Sequence, residues 1–232
     1  MSTNTTSVWR KKLKELEIVV VIPTYNNGKT LAAVIEEVCR YADDIIVVND
    51  GSTDDTANIL EQYPAIRTIT HPVNKGKGTA LKHGLSQAKK EGFRYAITID
   101  SDGQHFASDI PCFIEAIEKE PDTLLVGARN LASDNMPGKN TFANKFSNFW
   151  FRLETGLKLE DTQSGYRLYP LRKMDVQSCW YTAKYEFELE AIVFAAWGDV
   201  VVKNIPIHVY YPRKRNGYPI SVPSGILPVS VC

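Results

Sequence analysis

Two carboxylates one residue apart, Asp100 and Asp102, follow directly on the apolar run 95–99. At a strand end such a pair can converge on one hard divalent cation, and Mg²⁺ takes few protein ligands, leaving positions for a substrate diphosphate. Gln104 is near enough in sequence to support the same site. By itself Asp-x-Asp is a weak motif, and a capping or solvated acid pair is its plainer reading. Asn49-Asp50-Gly51-Ser52 closes a second apolar run. An acid there can accept hydrogen bonds from a base or ribose, although the same four residues also suit a tight turn. Asn74-Lys75-Gly76-Lys77-Gly78 precedes a helical stretch. Glycines at a helix N-terminus with lysines beside them suit an anion. The spacing fits neither a Walker A loop nor a G-x-G-x-x-G fingerprint, and a plain loop with solvated lysines serves equally.

Clusters of this kind act together only if the elements before them end at one edge. Residues 18–22 form a β-branched run that reads as a strand buried on both faces. Pro23-Thr24-Tyr25-Asn26 ends it, and Leu31, Val34, Ile35, Val38, Cys39 and Ala42 then recur at helical spacing. Strands are expected at 45–48, 67–70, 95–99 and 123–126. Ser52 or Thr53 can cap a short helix, 79–90 reads as another, and Asp109 caps a third with Pro111 in its first turn. Alternation over 18–127 predicts an α/β fold, a mostly parallel sheet with helices on both faces. Such sheets bind ligands at the carboxyl ends of their strands, where all three polar clusters fall.

The second half differs. Phe142, Phe146, Phe149, Trp150, Leu153 and Leu157 make an aromatic helical stripe. Core is its plainer reading; a helix facing lipid or isoprenoid is the sharper one. A helix is expected at 185–197 and short strands at 200–202 and 205–209. Five of the twelve prolines lie from Pro206 onward, so the end reads as extended.

Taken in order, Pro23-Thr-Tyr-Asn26, Val48-Asn-Asp-Gly-Ser52, Asn74-x-Gly-Lys-Gly78, Asp100-x-Asp-x-Gln104-His, Gly127-x-Arg129 and Asp161-x-x-Ser-Gly-Tyr-Arg167 resemble a family 2 glycosyltransferase. The nearest likeness is to the dolichyl- and polyprenyl-phosphate mannose or glucose synthases. The resemblance implies a GT-A fold, a nucleotide-diphospho-sugar donor, Mg²⁺ or Mn²⁺, and inversion at the sugar carbon. It places the donor against Pro23, Tyr25, Asn27, Val48, Asp50, Lys77, Asp100 and Ser101, with Pro23 and Tyr25 framing the base. It makes Asp100, Asp102 and Gln104 the metal set. Arg129 would face the donor sugar or its phosphates, and Asp161, Ser164, Gly165 and Arg167 the acceptor. Asn27 and Asn49 stand where the family often has acids, which removes negative charge beside the nucleotide. The late basic loop Arg213-Lys-Arg-Asn-Gly217 is a loose match to a phosphate-contacting loop of the mannose synthases.

The implied chemistry is an in-line displacement at the anomeric carbon with a nucleoside diphosphate leaving. A phosphate acceptor is already an anion and needs cations to position it, for which Arg167 is the candidate. A hydroxyl acceptor needs a general base, for which Asp161 is the candidate. The expected function is therefore inverting transfer of a hexose to a polyprenyl (dolichyl-type) phosphate at the cytoplasmic membrane face. The alternatives are transfer to a sugar hydroxyl in polysaccharide or lipopolysaccharide assembly, and a non-catalytic nucleotide-sugar binder on the same fold.

The 232 residues carry 27 Lys+Arg against 27 Asp+Glu, a balance that argues against a dedicated nucleic-acid binder. That neutrality is uneven. Residues 36–61 hold eight acids and one base, whereas 200–232 hold no acid and four bases. Attraction to anionic lipid would come from such local clusters. No apolar run reaches the roughly 20 residues of a membrane span, and no secretory signal opens the chain. Cys39, Cys112, Cys179 and Cys232 form no C-x-x-C pair and are expected as free thiols. The expected placement is cytoplasmic, with peripheral attachment to the inner membrane face left open. The expected organisation is a polar, basic extension (1–16), a catalytic domain (17–212) and a basic, Pro-rich tail (213–232).

Overall fold

A computed structural model describes residues 3–129, 138–174 and 186–210, and the backbone of 214–215 and 218–219. Strands β1 (Ile18–Thr24), β2 (Ile45–Asn49), β3 (Arg67–Thr70), β4 (Tyr95–Thr98), β5 (Leu124–Arg129), β6 (Arg167–Pro170) and β7 (Val202–Ile207) form one sheet. Their order is β3-β2-β1-β4-β6-β5-β7. All run parallel except β6, which is antiparallel to both β4 and β5. Lys214–Arg215 (β8) and Tyr218–Pro219 (β9) make a separate antiparallel pair.

Side-chain alternation along β1 explains the two layers. Ile18, Val20 and Ile22 pack with α2 (Gly28–Val38) and α5 (Ile110–Lys119), through Leu31, Ile35, Phe113 and Ile114. Val19 and Val21 face the opposite cluster, built from α4 (Lys77–Lys90) and α7 (Glu186–Trp197) through Leu81, Leu85, Phe187 and Ile192. A strand buried on both faces must be apolar at every position, and the five β-branched residues at 18–22 meet that need.

Several local expectations are corrected. The N-terminal segment is a helix, α1 (Thr3–Glu15), docked on the core by buried Leu13 and tied to α5 by a Lys12–Glu118 ion pair of 2.5 Å. Helix α3 (Thr56–Glu61) begins beyond Ser52 and Thr53; Asp54 accepts hydrogen bonds from Thr56 N and Oγ1 at its start and from Gly28 N at the start of α2. Asp109 stands at the N-cap position of α5 with Pro111 in the first turn, as expected, but its side chain makes no capping hydrogen bond, because the carboxylate is taken by His208 N and Nδ1, both at 2.7 Å. The two short strands expected near the end are one strand, β7, which carries Pro206 in register with Ala128. The sheet ends at β7, and an edge strand tolerates proline because half its N–H groups face away from the ladder. Cys39 is a free thiol, whereas Cys112 is disulfide-bonded, against the expectation of free thiols.

The aromatic stripe is also re-phased. In α6 (Gly138–Thr155) the core-facing side chain is Phe151, 1% exposed. Phe149 and Trp150 are 61% and 43% exposed, and Leu153 and Leu157 share that outward face. The side chains of Phe142 and Phe146 lie outside the described residues, as do most of the 213–232 tail and the side chains of Lys214 and Arg215.

Candidate active site

A cleft of about 380 Å³ opens at the carboxyl ends of β1, β2 and β4. Pro23, Thr24, Tyr25 and Asn27 come to it from β1, Asp50 from β2, and Asp100, Ser101 and Asp102 from β4. Asn74, Gly76, Lys77 and Ala80 close it from the start of α4. Of the eight residues expected to hold a donor, seven line this one space. Val48 is not among them; its side chain is buried between the sheet and α4, and the contact expected there is with the backbone.

The strand-end loops are fastened to one another. Asn26 N donates to Ser52 Oγ (3.0 Å), and Thr53 N donates to Asn26 Oδ1 (2.8 Å). Asn27 Nδ2 donates to Ser101 Oγ (2.8 Å), and Thr30 Oγ1 to Ser101 O (2.6 Å). Asn49 keeps the turn role that its type suggests, its Oδ1 accepting from Ser52 N at 3.0 Å. Gly51 sits at φ +70 with Val73 C only 2.4 Å from where a Cβ would stand, so no other residue fits. Tyr25, half exposed, presents its ring at the mouth, where a planar base could stack.

The metal-site acids differ in their surroundings. The Lys77 ammonium lies 2.8 and 3.0 Å from the two oxygens of Asp100 and 3.2 Å from Glu188 Oε1 on α7. Burial alone would lower the Lys77 pKa, but the two carboxylates outweigh it and raise it. Burial would likewise raise Asp100, and Lys77, followed by His105, pulls it below the ordinary carboxylate value. Among the described residues no cation pairs directly with Asp102. Partial burial raises its pKa, and the Asp100 charge adds to the rise against one hydrogen bond from Gln104 N and the lesser pull of His105 and Lys77. An acid held above its ordinary value beside a second acid is where a divalent cation relieves repulsion. The donor set, carboxylate oxygens open to a cleft, therefore fits a hard ion. Among the described residues no three His, Cys, Asp or Glu side chains form a ready cage. Asp100 and Asp102 would thus hold the ion with few protein ligands, as suits Mg²⁺ with a diphosphate. Gln104 does not line the cleft; its backbone serves instead, N to Asp102 Oδ1 and O to Tyr210 N.

The acceptor-side residues separate into a pair and a scaffold. Arg129 Nε and Nη2 donate to Asp161 Oδ2 and Oδ1 at 2.6 and 3.0 Å, a two-pronged contact on a carboxylate that is 0% exposed. Arg129 N and Gln163 N add two further hydrogen bonds. Burial would raise the Asp161 pKa, but these contacts hold it below the ordinary value. Arg129 also borders a second, open groove of about 850 Å³ beside β7. Arg167 corrects its expected role. It is 0% exposed, and its guanidinium donates to the carbonyls of Ser164, Thr162 and Glu188. It builds the 162–165 turn from inside and presents nothing to an acceptor. That turn reaches the donor cleft: a Cβ on Gly165 would stand 2.6 Å from Asp100 Oδ2, 2.8 Å from Lys77 Nζ and 2.9 Å from Glu188 Oε1.

Three residues of this arrangement escape sequence reasoning. Glu188 is buried, and in the sequence it stands between Glu186 and Glu190 with nothing to single it out. Asn204 uses its whole amide: Nδ2 donates to Val126 O and Asp161 O, and Oδ1 accepts from Glu160 N and Asp161 N. His71 binds Asp50 at 2.6 Å.

Residues 19–176 match the family described as Glycosyl transferase family 2. The UDP-N-acetylglucosamine–dolichyl-phosphate N-acetylglucosaminyltransferase of Methanococcus voltae is 31% identical over 215 residues, covering 84% of this chain and 86% of that protein. The polyprenol monophosphomannose synthase of Mycolicibacterium smegmatis is 27% identical over 201 residues, covering 81% and 75%. Among solved structures, glucosyl-3-phosphoglycerate synthase from Mycobacterium tuberculosis with UDP superposes with a TM-score of 0.66 at 20% identity, over 92% of this chain and 78% of that one. The shared fold is the GT-A fold. The matched segment contains β1, β2 and β4, whose ends build the cleft, as well as the Asp161–Arg167 turn, and the chain belongs to glycosyl transferase family 2.

Proposed function

We propose that this glycosyltransferase moves a sugar from a nucleoside-diphosphate donor to a polyprenyl (dolichyl-type) phosphate, with inversion and with a divalent cation at Asp100 and Asp102. The observation that carries the reading is the single cleft in which Tyr25, Asp50, Lys77, Asp100 and Asp102 converge. Tyr25 stacks the base, and the Asp50 loop supports the nucleoside. When bound, the cation neutralises charge that develops on the departing diphosphate. Lys77, held beside Asp100, adds fixed positive charge at the same end of the cleft.

A phosphate acceptor is favoured by Asp161. A carboxylate gripped by Arg129 and two N–H groups, and held below its ordinary pKa, is a poor proton acceptor. A hydroxyl acceptor needs such a base; a phosphate does not. The two named relatives that act on dolichyl phosphate or make polyprenol monophosphomannose support the same acceptor class. The fold neighbour has been solved with Mn²⁺ and UDP, which supports the ion.

Thermal denaturation with UDP-, GDP- and dTDP-sugars, with and without Mn²⁺, tests the donor. One base at about 100 times its Kd adds about 2.7 kcal/mol, or roughly 5–10 °C for a domain this size, and the gain requires the ion. No shift with any donor overturns the proposal. Transfer of label from the stabilising donor to polyprenyl phosphate, but not to soluble sugars, then tests the acceptor.

The outward face of α6 supports peripheral attachment to the membrane that holds such an acceptor. Among the described residues no helix is long and apolar enough to cross a bilayer. Phe149, Trp150, Leu153 and Leu157 nonetheless leave a large apolar surface in water. Trp197, also exposed, is linked to the same helix by its indole N–H to Glu154 O. Phe149→Ser with Trp150→Ser removes two interfacial anchors and lowers liposome partitioning at least about tenfold, at an unchanged melting temperature. Equal partitioning of variant and wild type removes this surface from the proposal.

A further inference from the structure

Behind the donor cleft lies a chain of two imidazoles that the proposed reaction does not use. The buried carboxylate of Asp50 accepts three hydrogen bonds: from Lys75 N (2.9 Å), Gly76 N (2.8 Å) and His71 Nδ1 (2.6 Å). His71 Nε2 in turn lies 2.7 Å from Nδ1 of His83 on α4, with the rings edge-to-face at 87°. His71 is buried and His83 is exposed, so the chain runs from the cleft wall to solvent. An ionised carboxylate only accepts, so His71 Nδ1 carries a proton. With His71 neutral, its Nε2 is an acceptor and His83 must donate from Nδ1. Burial is the leading cause that holds His83 below the ordinary histidine pKa.

The segment so fastened is the cleft's own rim. Asn74, Gly76 and Lys77 line the cleft, and Gly76 sits at φ +96 where the loop turns into α4. The two N–H groups that Asp50 accepts belong to Lys75 and Gly76, the residues just before Lys77. We infer that His71 and His83 are positioning residues for the nucleoside-diphosphate donor, forming with Asp50 a carboxylate–imidazole–imidazole relay that fixes the Lys75–Gly76 rim. The inference rests on the donor reading of the cleft proposed above. Neither imidazole lines the cleft, so the relay acts on donor affinity and leaves the transfer step alone. His83 acts one step further back, by setting the tautomer and ring orientation of His71.

Steady-state kinetics on His71 and His83 variants, with imidazole ¹⁵N NMR of the free wild-type protein, tests the relay. His71→Phe raises the donor KM about tenfold or more, as expected for a lost hydrogen bond to a charged group, and changes kcat less than about threefold. His71→Asn, whose amide can offer an N–H near the Nδ1 position, recovers most of that loss. Should His71→Phe fail to fold, His83→Leu at the solvent end gives the same KM–kcat split in weaker form, and His83→Asn restores it. The NMR spectrum shows His83 fixed in one tautomer and hydrogen-bonded at Nδ1. A His83 averaged between tautomers like a free side chain overturns the relay. Unchanged donor KM in both His71→Phe and His83→Leu overturns it as well, with the donor reading intact. A fixed tautomer in a protein that binds no nucleotide sugar overturns the donor reading instead, because the spectrum is recorded without donor.

Discussion

Asp102→Ala lowers sugar transfer by roughly two to three orders of magnitude and leaves the fold as stable as before. The two halves of that expectation have separate causes. Asp102 stands on the exposed turn after β4, and its recorded hydrogen bond is from Gln104 N, two residues away. Its pKa is raised by partial burial and by the charge of Asp100. A carboxyl whose folded pKa lies above its unfolded value contributes stability at low pH and loses it as pH rises through the folded value. At pH 7 the ionised group is therefore a mild liability to the fold, and removing it leaves the melting temperature equal or slightly higher in the absence of divalent ions. Asp100→Ala behaves differently. It strips Lys77 of its nearer carboxylate in a half-buried cluster pressed by Gly165, so it costs both turnover and stability. Turnover and melting curves of the two variants, with and without Mn²⁺, measure this directly. Asp102→Ala retaining transfer within about threefold of wild type would remove the ion from the mechanism.

The donor side could be read from the sequence because each of its pieces is contiguous. Pro23-Thr-Tyr-Asn26, Asn49-Asp-Gly-Ser52 and Asp100-Ser-Asp102 each end an apolar run, and parallel topology brings strand ends to one edge without further information. What joins these pieces was not legible. Lys77 meets Glu188 across more than a hundred residues of sequence, and nothing local to either position announces the pair. Arg167 misled because an arginine is rarely buried and a motif arginine suggests a ligand. Here two carbonyls of the 162–165 turn and one of α7 claim the guanidinium instead. The phase of α6 misled for the opposite reason. Aromatic side chains at helical spacing normally mark the core face, but among the described aromatic side chains of α6 Phe151 turns inward, while Phe149 and Trp150, with Leu153, face water. A stripe pattern reports that one face is apolar and is silent on what covers it. The expected strands 200–202 and 205–209 are one, and the sheet order, which leaves β7 at the edge, explains how that strand carries Pro206.

Arg129→Met destabilises the protein by about 3–5 kcal/mol at pH 7, and it reverses the direction in which pH acts on the site. In the wild type Asp161 is wholly buried, yet Arg129 and two backbone N–H groups hold its pKa below the ordinary value. A depressed carboxyl contributes stability above its unfolded pKa, about 3.9, and loses it as pH falls through the folded value. The Arg129–Asp161 pair of the wild type therefore loses its contribution only in acid, below about pH 4. Without the guanidinium, burial is the dominant influence left, and it raises the Asp161 pKa. The deficit of the variant relative to wild type should then be largest at neutral pH and shrink as pH is lowered toward about 5. Melting temperatures from pH 4.5 to 8 read the reversal, with a deficit on the order of 10 °C at pH 7. Asp161→Asn supplies the complementary arm. It removes the charge while keeping one acceptor oxygen for Arg129 or Gln163, so it is milder and shows no pH reversal. If Asp161 were instead the general base for a hydroxyl acceptor, Asp161→Asn would abolish kcat at little cost in stability. The pair buries Asp161 completely and leaves it the weaker proton acceptor. Stability should therefore fall further than the chemical step in both variants, and the acceptor phosphate should still be glycosylated by whatever fraction remains folded.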